Sequence, residues 1–247
     1  MPLPNFIIIG ETKCGTTSMY DNLIQHPQIL PTVGNGNDRI VDASVPLGVK
    51  ELRFFDRNYH RGWDWYKSCF PECPEGCITG EATPMYLNRT LALDRIASVL
   101  QDNVKLIVMI RNPAKRLVSH FYHNQSINKD WHIKYPTIYE FWHKVSDPDY
   151  HMIERGIYWK SLFNLQNFFN NENIRVVILE DMLTRPQKVL NNLFDFLEVD
   201  KTDTIVPAHS RKSQNKQKEA APDYVYDFYK THNLILEEML QTKLWTK

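Results

Sequence analysis

The chain has 247 residues, 43% of them hydrophobic, and a formal net charge of zero. That length suits a single α/β domain, 1–247, and that apolar fraction buries a real core, which excludes a disordered chain. A neutral sum argues against a protein devoted to gripping nucleic acid, while leaving room for a local basic site.

No secretory signal opens the sequence, and no run approaches the roughly 20 apolar residues of a spanning helix. A cytoplasmic protein without membrane partners is therefore expected, or a catalytic domain cut from an anchored one.

In chain order, Phe6 to Ile9 is a short β-branched run of the kind found in buried parallel strands. Gly10 to Gly15 is a turn, and Thr16 to His26 reads as a helix closed by Pro27. Pro31 to Gly48 is rich in Gly, Pro, Asn and Asp and reads as a long surface loop. "KELRFFD", Lys50 to Asp56, is strand-like, "WDWYKSCF" a short helix ended by Pro71, and "CITGEATP" a strand running into a turn. Cys69, Cys73 and Cys77 follow a C-x3-C-x3-C spacing, without the fourth ligand and closer pairs of a zinc site. Free thiols and no metal are expected there, with a disulfide left open.

Arg89 to Leu100 is amphipathic and helical. Val104 to Pro113 is the clearest buried strand, with Pro113 at the first position of a helix through "AKRLVSHFYHN". Residues 137–145 and 157–169 read as helices, Ile174 to Glu180 as a second buried strand, and Val189 to Leu197 as a helix. Thr202 to Pro222 is a Lys/Arg-rich loop before a last helix, Tyr224 to Leu240. The alternation predicts a mostly parallel sheet with helices on both faces, a P-loop-like, three-layer α/β fold. Ligands of such sheets sit at the carboxyl ends of strands.

Three strand ends carry candidate chemistry. The first, "GETKCGTTS", has the glycine spacing of a phosphate-binding loop, but Thr16 stands where a nucleotide-triphosphate loop has its lysine. The only lysine is Lys13, inside the loop. Amides at a helix N-terminus attract an anion, so Gly15, Thr16, Thr17 and Ser18 fit a phosphate. The misplaced lysine argues against a β/γ-phosphate grip. The second is Arg111 in "RNPAKRLVSHF", whose fork can meet a phosphate, with Ser119 two helical turns on. The third is Glu81.

The segments "KCGTTS", "KELRFFD", "GEATPMYL", "RNPAKRLVSHFYHN", "GIYWKSLFNLQNFF" and "FYKTHNLILEEML" together resemble the sulfotransferases that use 3′-phosphoadenosine 5′-phosphosulfate, PAPS, above all the heparan-sulfate type and its bacterial relatives. The resemblance implies that Lys13, Cys14, Gly15, Thr16, Thr17 and Ser18 hold the 5′-phosphosulfate. It implies that Arg111 and Ser119 hold the 3′-phosphate, helped by some of Arg211, Lys212, Lys216 and Lys218. Glu51 stands where that subfamily places its catalytic base, and Glu81 is a second acid/base candidate. No metal is implied, and PAP is the nucleotide product.

There are departures. Ala82 stands where the heparan-sulfate enzymes tend to carry a lysine. The segment "HSRKSQNKQKEAAP" has no glycine, and the family's C-terminal disulfide has no cysteines here. A small hydroxylated or amino acceptor is expected, with a saccharide as the alternative. A P-loop kinase and a non-catalytic nucleotide-binding module are the competing functions.

Overall fold

The computed structural model describes residues 3–33, 50–145, 149–205 and 220–245. Most of the loop expected at Pro31–Gly48, and Arg211, Lys212, Lys216 and Lys218, lie outside the described residues. Contacts divide the chain into two compact units. One is Met1–Met109 with Leu165–Arg211, and the other is Ile110–Asn164 with Lys212–Lys247.

The first unit is built on a five-stranded sheet: β1 (Phe6–Gly10), β2 (Ile29–Leu30), β3 (Ile78–Ala82), β4 (Lys105–Ile110) and β5 (Ile174–Ile178), in the order β2-β3-β1-β4-β5. β1 pairs in parallel with β3 and with β4, and β2 with β3. Central parallel strands are covered on both faces, so they read as unbroken apolar runs. Every residue of β1 is buried, and so are Leu106 to Ile110 of β4. Gly80 lies opposite Phe6, where an added Cβ would stand 2.4 Å from the Phe6 carbonyl oxygen. Only glycine lets these strands approach so closely. Placing β1 between β3 and β4 puts the turn after β1 at the switch point of the strand order, where such sheets bind ligands.

Helix α1 (Thr16–Leu23) packs on β1 and β3. The expected helix is three residues shorter: ahead of Pro27 the Gln25 and His26 amides turn to the carbonyls three residues back, Asn22 and Leu23, at 3.3 and 3.0 Å. Helices α2 (Gly62–Ser68) and α3 (Thr90–Leu100) follow the sequence reading.

The strand expected at Lys50–Asp56 is absent, and a single π turn covers Phe54–Asn58. A strand sends neighbouring side chains to opposite faces. Phe54 and Phe55 are both fully buried, and both contact the Tyr66 ring, at 4.3 and 5.2 Å between centroids. The turn serves both rings where a strand would serve one.

The second unit is helical. It contains α4 (Pro113–Ile127), α5 (Lys129–Lys134), α6 (Ile138–Lys144), α7 (His151–Glu154), most of α8 (Tyr158–Gln166) and the last helix. Its core gathers Leu117, Phe121, Trp131, Phe141, Ile153 and Tyr229. Back in the first unit, β5 is shorter and more exposed than expected, with only Val177 buried, as suits the sheet edge. Leu179 and Glu180, expected in that strand, open helix α9 (Leu179–Thr184), and α10 (Pro186–Leu197) packs beside it. Helix α11 (Asp223–Leu240) closes the second unit against α4. The sheet with its packed helices is the α/β, P-loop-like arrangement that the alternation predicts.

Candidate active site

The turn after β1 is fixed from both ends. At its start, Glu11 is fully buried, and its carboxylate accepts the Thr12 amide and the Asn88 side-chain amide. The Cys14 amide donates to the Glu11 carbonyl at 3.1 Å. At its end, Gly15 takes a left-handed φ of 87°, and an added Cβ would meet Leu179 Cδ1 at 2.7 Å. Lys13 is also left-handed, with φ 70°, a conformation that costs an ordinary side chain free energy and marks an over-determined turn.

Helix α1 begins at Thr16 with no side chain capping its first turn. The first four amides of a helix have no acceptor within it. The Ser18 hydroxyl is buried on this turn and has no hydrogen-bond partner. An orphaned buried hydroxyl is unusual in a folded protein. Together with the uncapped amides and Lys13 it forms a donor set that fits a phosphate or phosphosulfate.

The end of β3 holds the most buried acid of the candidate set. Glu81 is fully buried, and its carboxylate accepts hydrogen bonds from Thr83 Oγ1 at 2.6 Å, Tyr66 at 2.9 Å and Tyr86 at 3.3 Å. Burial pushes its carboxyl up to about 7, against the opposing pull of these hydroxyls and of the Leu52 amide. Burial, joined by the neighbouring carboxylate, also holds the Tyr66 and Tyr86 phenols well above their ordinary range.

Beside it runs the segment from Lys50. Glu51 is partly exposed and its carboxylate lies 2.6 Å from Lys50 Nζ. Arg53 is left-handed, φ 52°, and its guanidinium clasps the carboxylate of Asp56, with Nε 2.9 Å from both oxygens. Of the aromatic residues near this segment, Phe54 and Phe55 are core, while Trp63 and Trp65 are half-buried.

In the second unit, Arg111 directly follows β4 and is half-buried, and its carbonyl accepts the Tyr158 hydroxyl at 2.8 Å. Asn112 caps α4 by accepting the Ala114 and Lys115 amides at 3.1 and 3.2 Å. Ser119 is half-buried on the same helix and Lys115 is exposed. Arg116 is fully buried, its guanidinium donating to the Met152 carbonyl and lying 3.3 Å from His120 Nδ1, so it is structural and not a solvated cation. The four cysteines are free thiols.

A family model described as the sulfotransferase domain matches residues 3–227. The chain belongs to the sulfotransferase family. Among curated sulfotransferases, the human heparan sulfate glucosamine 3-O-sulfotransferase 3B1 is 32% identical over 200 residues, covering 79% of this chain and 46% of the relative. The human bifunctional heparan sulfate N-deacetylase/N-sulfotransferase 3 is 35% identical over 128 residues, covering 50% of this chain and 13% of that protein. The chain spans about half the length of the 3-O-sulfotransferases it matches. Among solved structures, a sulfotransferase from Alicyclobacillus acidocaldarius superposes with a TM-score of 0.75 at 22% identity, covering 99% of this chain and 98% of that one. The sulfotransferase domain from the curacin biosynthetic pathway gives 0.56 at 14%. These likenesses show the shared fold. Among the described residues, no helix is long and apolar enough to cross a membrane.

Sequence reasoning named Lys13, the Gly15–Ser18 turn, Glu51, Glu81, Arg111 and Ser119 as candidates, and the structure puts the turn after β1, Glu81 at the end of β3 and Arg111 after β4. It did not single out Glu11, Asp56, Tyr66, Thr83 or Tyr86, whose hydrogen bonds hold the candidate segments. Thr83 and Tyr86 stood in "GEATPMYL" all along, but nothing in their spacing revealed a shared carboxylate.

Proposed function

We propose that this chain moves a sulfuryl group from PAPS to a hydroxyl or amine of a small acceptor, a saccharide being the first class to try. One observation carries the reading: α1 starts uncapped, with an orphaned Ser18 hydroxyl on its first turn and Lys13 fixed just before it. This is a site for an anion that needs no lysine after Gly15. The relatives named for heparan sulfate glucosamine support a saccharide.

When bound, PAPS supplies an activated S–O bond to a 5′-phosphate. The Gly15–Ser18 amides and hydroxyls, with the neighbouring Cys14, orient that end, and Lys13 neutralises charge growing on the bridging oxygen. Glu51 accepts the acceptor's proton as its oxygen or nitrogen bonds to sulfur and the bond to the phosphate breaks. Arg111 and Ser119 take the 3′-phosphate, with Arg211, Lys212, Lys216 or Lys218 as additional cations. Sulfuryl transfer, like phosphoryl transfer, spreads charge over equatorial oxygens, so position and electrostatics dominate. The proposal includes no metal. Four free thiols fit a reducing cytoplasm.

The experiment is turnover of labelled PAPS to PAP with a panel of saccharide and small hydroxylated acceptors, in EDTA. Acceptor-dependent PAP formation is expected. Glu51→Gln should lower kcat by about 10²–10⁴-fold with PAP affinity unchanged. A strict Mg²⁺ requirement with ATP cleavage would establish a kinase instead. A loss below about fivefold at Glu51 would leave it as a surface partner of Lys50, since exposed pairs contribute about 0–1 kcal/mol.

A further inference from the structure

Glu81 is a carboxylate in the core, and a buried charge is costly unless it is matched by donors. Its donors are neutral groups, and two of them are relays. The Thr83 hydroxyl donates to Glu81 and accepts the Arg53 amide at 3.2 Å. The Tyr86 hydroxyl donates to Glu81 and accepts the Phe55 amide at 3.3 Å. The Leu52 amide reaches the carboxylate directly. Three amides of one short segment, those of Leu52, Arg53 and Phe55, thus end on a single side chain. The segment has no strand ladder of its own to hold it. Beyond the bond from the Ala82 amide to the Lys50 carbonyl, 2.8 Å, it turns through left-handed Arg53. Such a conformation persists only where its surroundings over-determine it.

We propose that Glu81 is a positioning residue: its carboxylate, acting through Leu52, Thr83 and Tyr86, sets the backbone that carries Glu51 and the Arg53–Asp56 pair. The functional half of this inference rests on the sulfuryl-transfer reading, with Glu51 as the base. Glu81 has all its neighbours inside the core and does not itself take the acceptor's proton.

The raised carboxyl pKa supplies a signature. The groups facing Glu81 are the Tyr66 phenol from α2, Tyr86 and Thr83 from the turn after β3, Tyr20 from α1 and the Leu52 amide, with the Arg53–Asp56 pair behind the relays. Ionised Glu81 accepts all four donors. Protonated Glu81 must turn one oxygen into a donor: on Oε2 this breaks or reverses the Thr83 relay, and on Oε1 it competes with Tyr66 and Tyr86. Ordering of the segment, and with it kcat, therefore rises with pH through about 7. Global stability moves the opposite way. The folded chain keeps a proton that the unfolded chain has lost between about 4.5 and about 7, so stability falls as pH rises across that window.

The test is amide exchange followed by NMR at pH 8 on the full chain, with kcat and PAP affinity measured beside it. Hydrogen bonds to a charged group are worth roughly 10- to 100-fold in local opening. Glu81→Gln should lose that much protection at Leu52, Arg53 and Phe55 while β1 and β4 amides keep theirs. Tyr86→Phe, the milder variant, should lose it at Phe55 alone. In Glu81→Gln, kcat should fall at least tenfold with PAP affinity unchanged, and both the rise of kcat and the fall in Tm across pH 5–7.5 should flatten. Unchanged protection at these three amides, or a kcat–pH profile that keeps its limb near 7 in Glu81→Gln, would overturn the proposal. If the wild type fails to turn over PAPS, the sulfuryl-transfer reading falls, and the exchange data still decide whether Glu81 holds the segment.

Discussion

The chain passes from strand to helix at β1–α1 and again at β4–α4, and the two junctions are built on opposite principles. At the second, Asn112 turns its side chain back on the helix and accepts two of its first amides, and Pro113 removes another donor. At the first, the N-cap is Gly15, which brings no side chain to cap the turn, and the Ser18 hydroxyl is left buried without a partner. A helix start that satisfies itself is finished architecture. One that does not is, in our proposal, where negative charge is received. Any anion near the second junction must therefore be met by side chains, Arg111 and Ser119 in our proposal, and not by the helix amides.

Three substitutions probe that contrast. The largest effect is expected from Arg111→Ala, because a charge-assisted fork is worth about 1.5–3 kcal/mol. PAP binding should weaken roughly 10- to 100-fold and AMP binding hardly at all, as calorimetry would show. Equal losses for both nucleotides would mean that Arg111 has no tie to the 3′-phosphate. Next, Asn112→Ala should lower stability by about 1 kcal/mol, the usual value of a side-chain cap, and leave AMP affinity alone. A chemical denaturation midpoint that does not move would show that the cap is idle. The smallest change is Ser18→Ala. Deleting an orphaned hydroxyl should leave the ligand-free Tm the same or higher, while PAP and AMP each bind a few-fold more weakly, by about 0.5–1 kcal/mol. A drop in Tm without any change in affinity would make Ser18 a structural residue and erase the contrast between the junctions.

Much of the first junction was legible in the sequence. Three isoleucines before a glycine leave little choice but a buried strand, and Gly10 and Gly15 mark the turn. Asn112-Pro113 announced the second helix as clearly. The segment after Lys50 was not legible. Phe54 and Phe55 favour a strand by local preference, yet a common partner, Tyr66, drew both rings to the same side. Ile174 to Glu180 failed for a related reason. Apolar residues report burial, but only the strand order says which strand is an edge. Glu81 was visible as an acid at a strand end. Its role was hidden, because the donors come from Leu52, Tyr66, Thr83 and Tyr86, brought together by tertiary packing. Nothing in "RNPAKRLVSHF" signals that Arg116 is buried against Met152 and His120.

The wall behind Gly15 is Leu179, which belongs to a part of the first unit made much later in the chain. β5, which leads into it, lies beside β4 in the sheet, with the segment between Ile110 and Ile174 looped out between them. During synthesis, the turn after β1 therefore stays without its backing until that whole segment has left the ribosome. Contacts that close so long a loop form late and slowly. A nascent chain halted before Leu179 would carry every loop residue and still lack the surface that shapes them, so the donor binding we propose for this turn should appear as one of the last acts of folding.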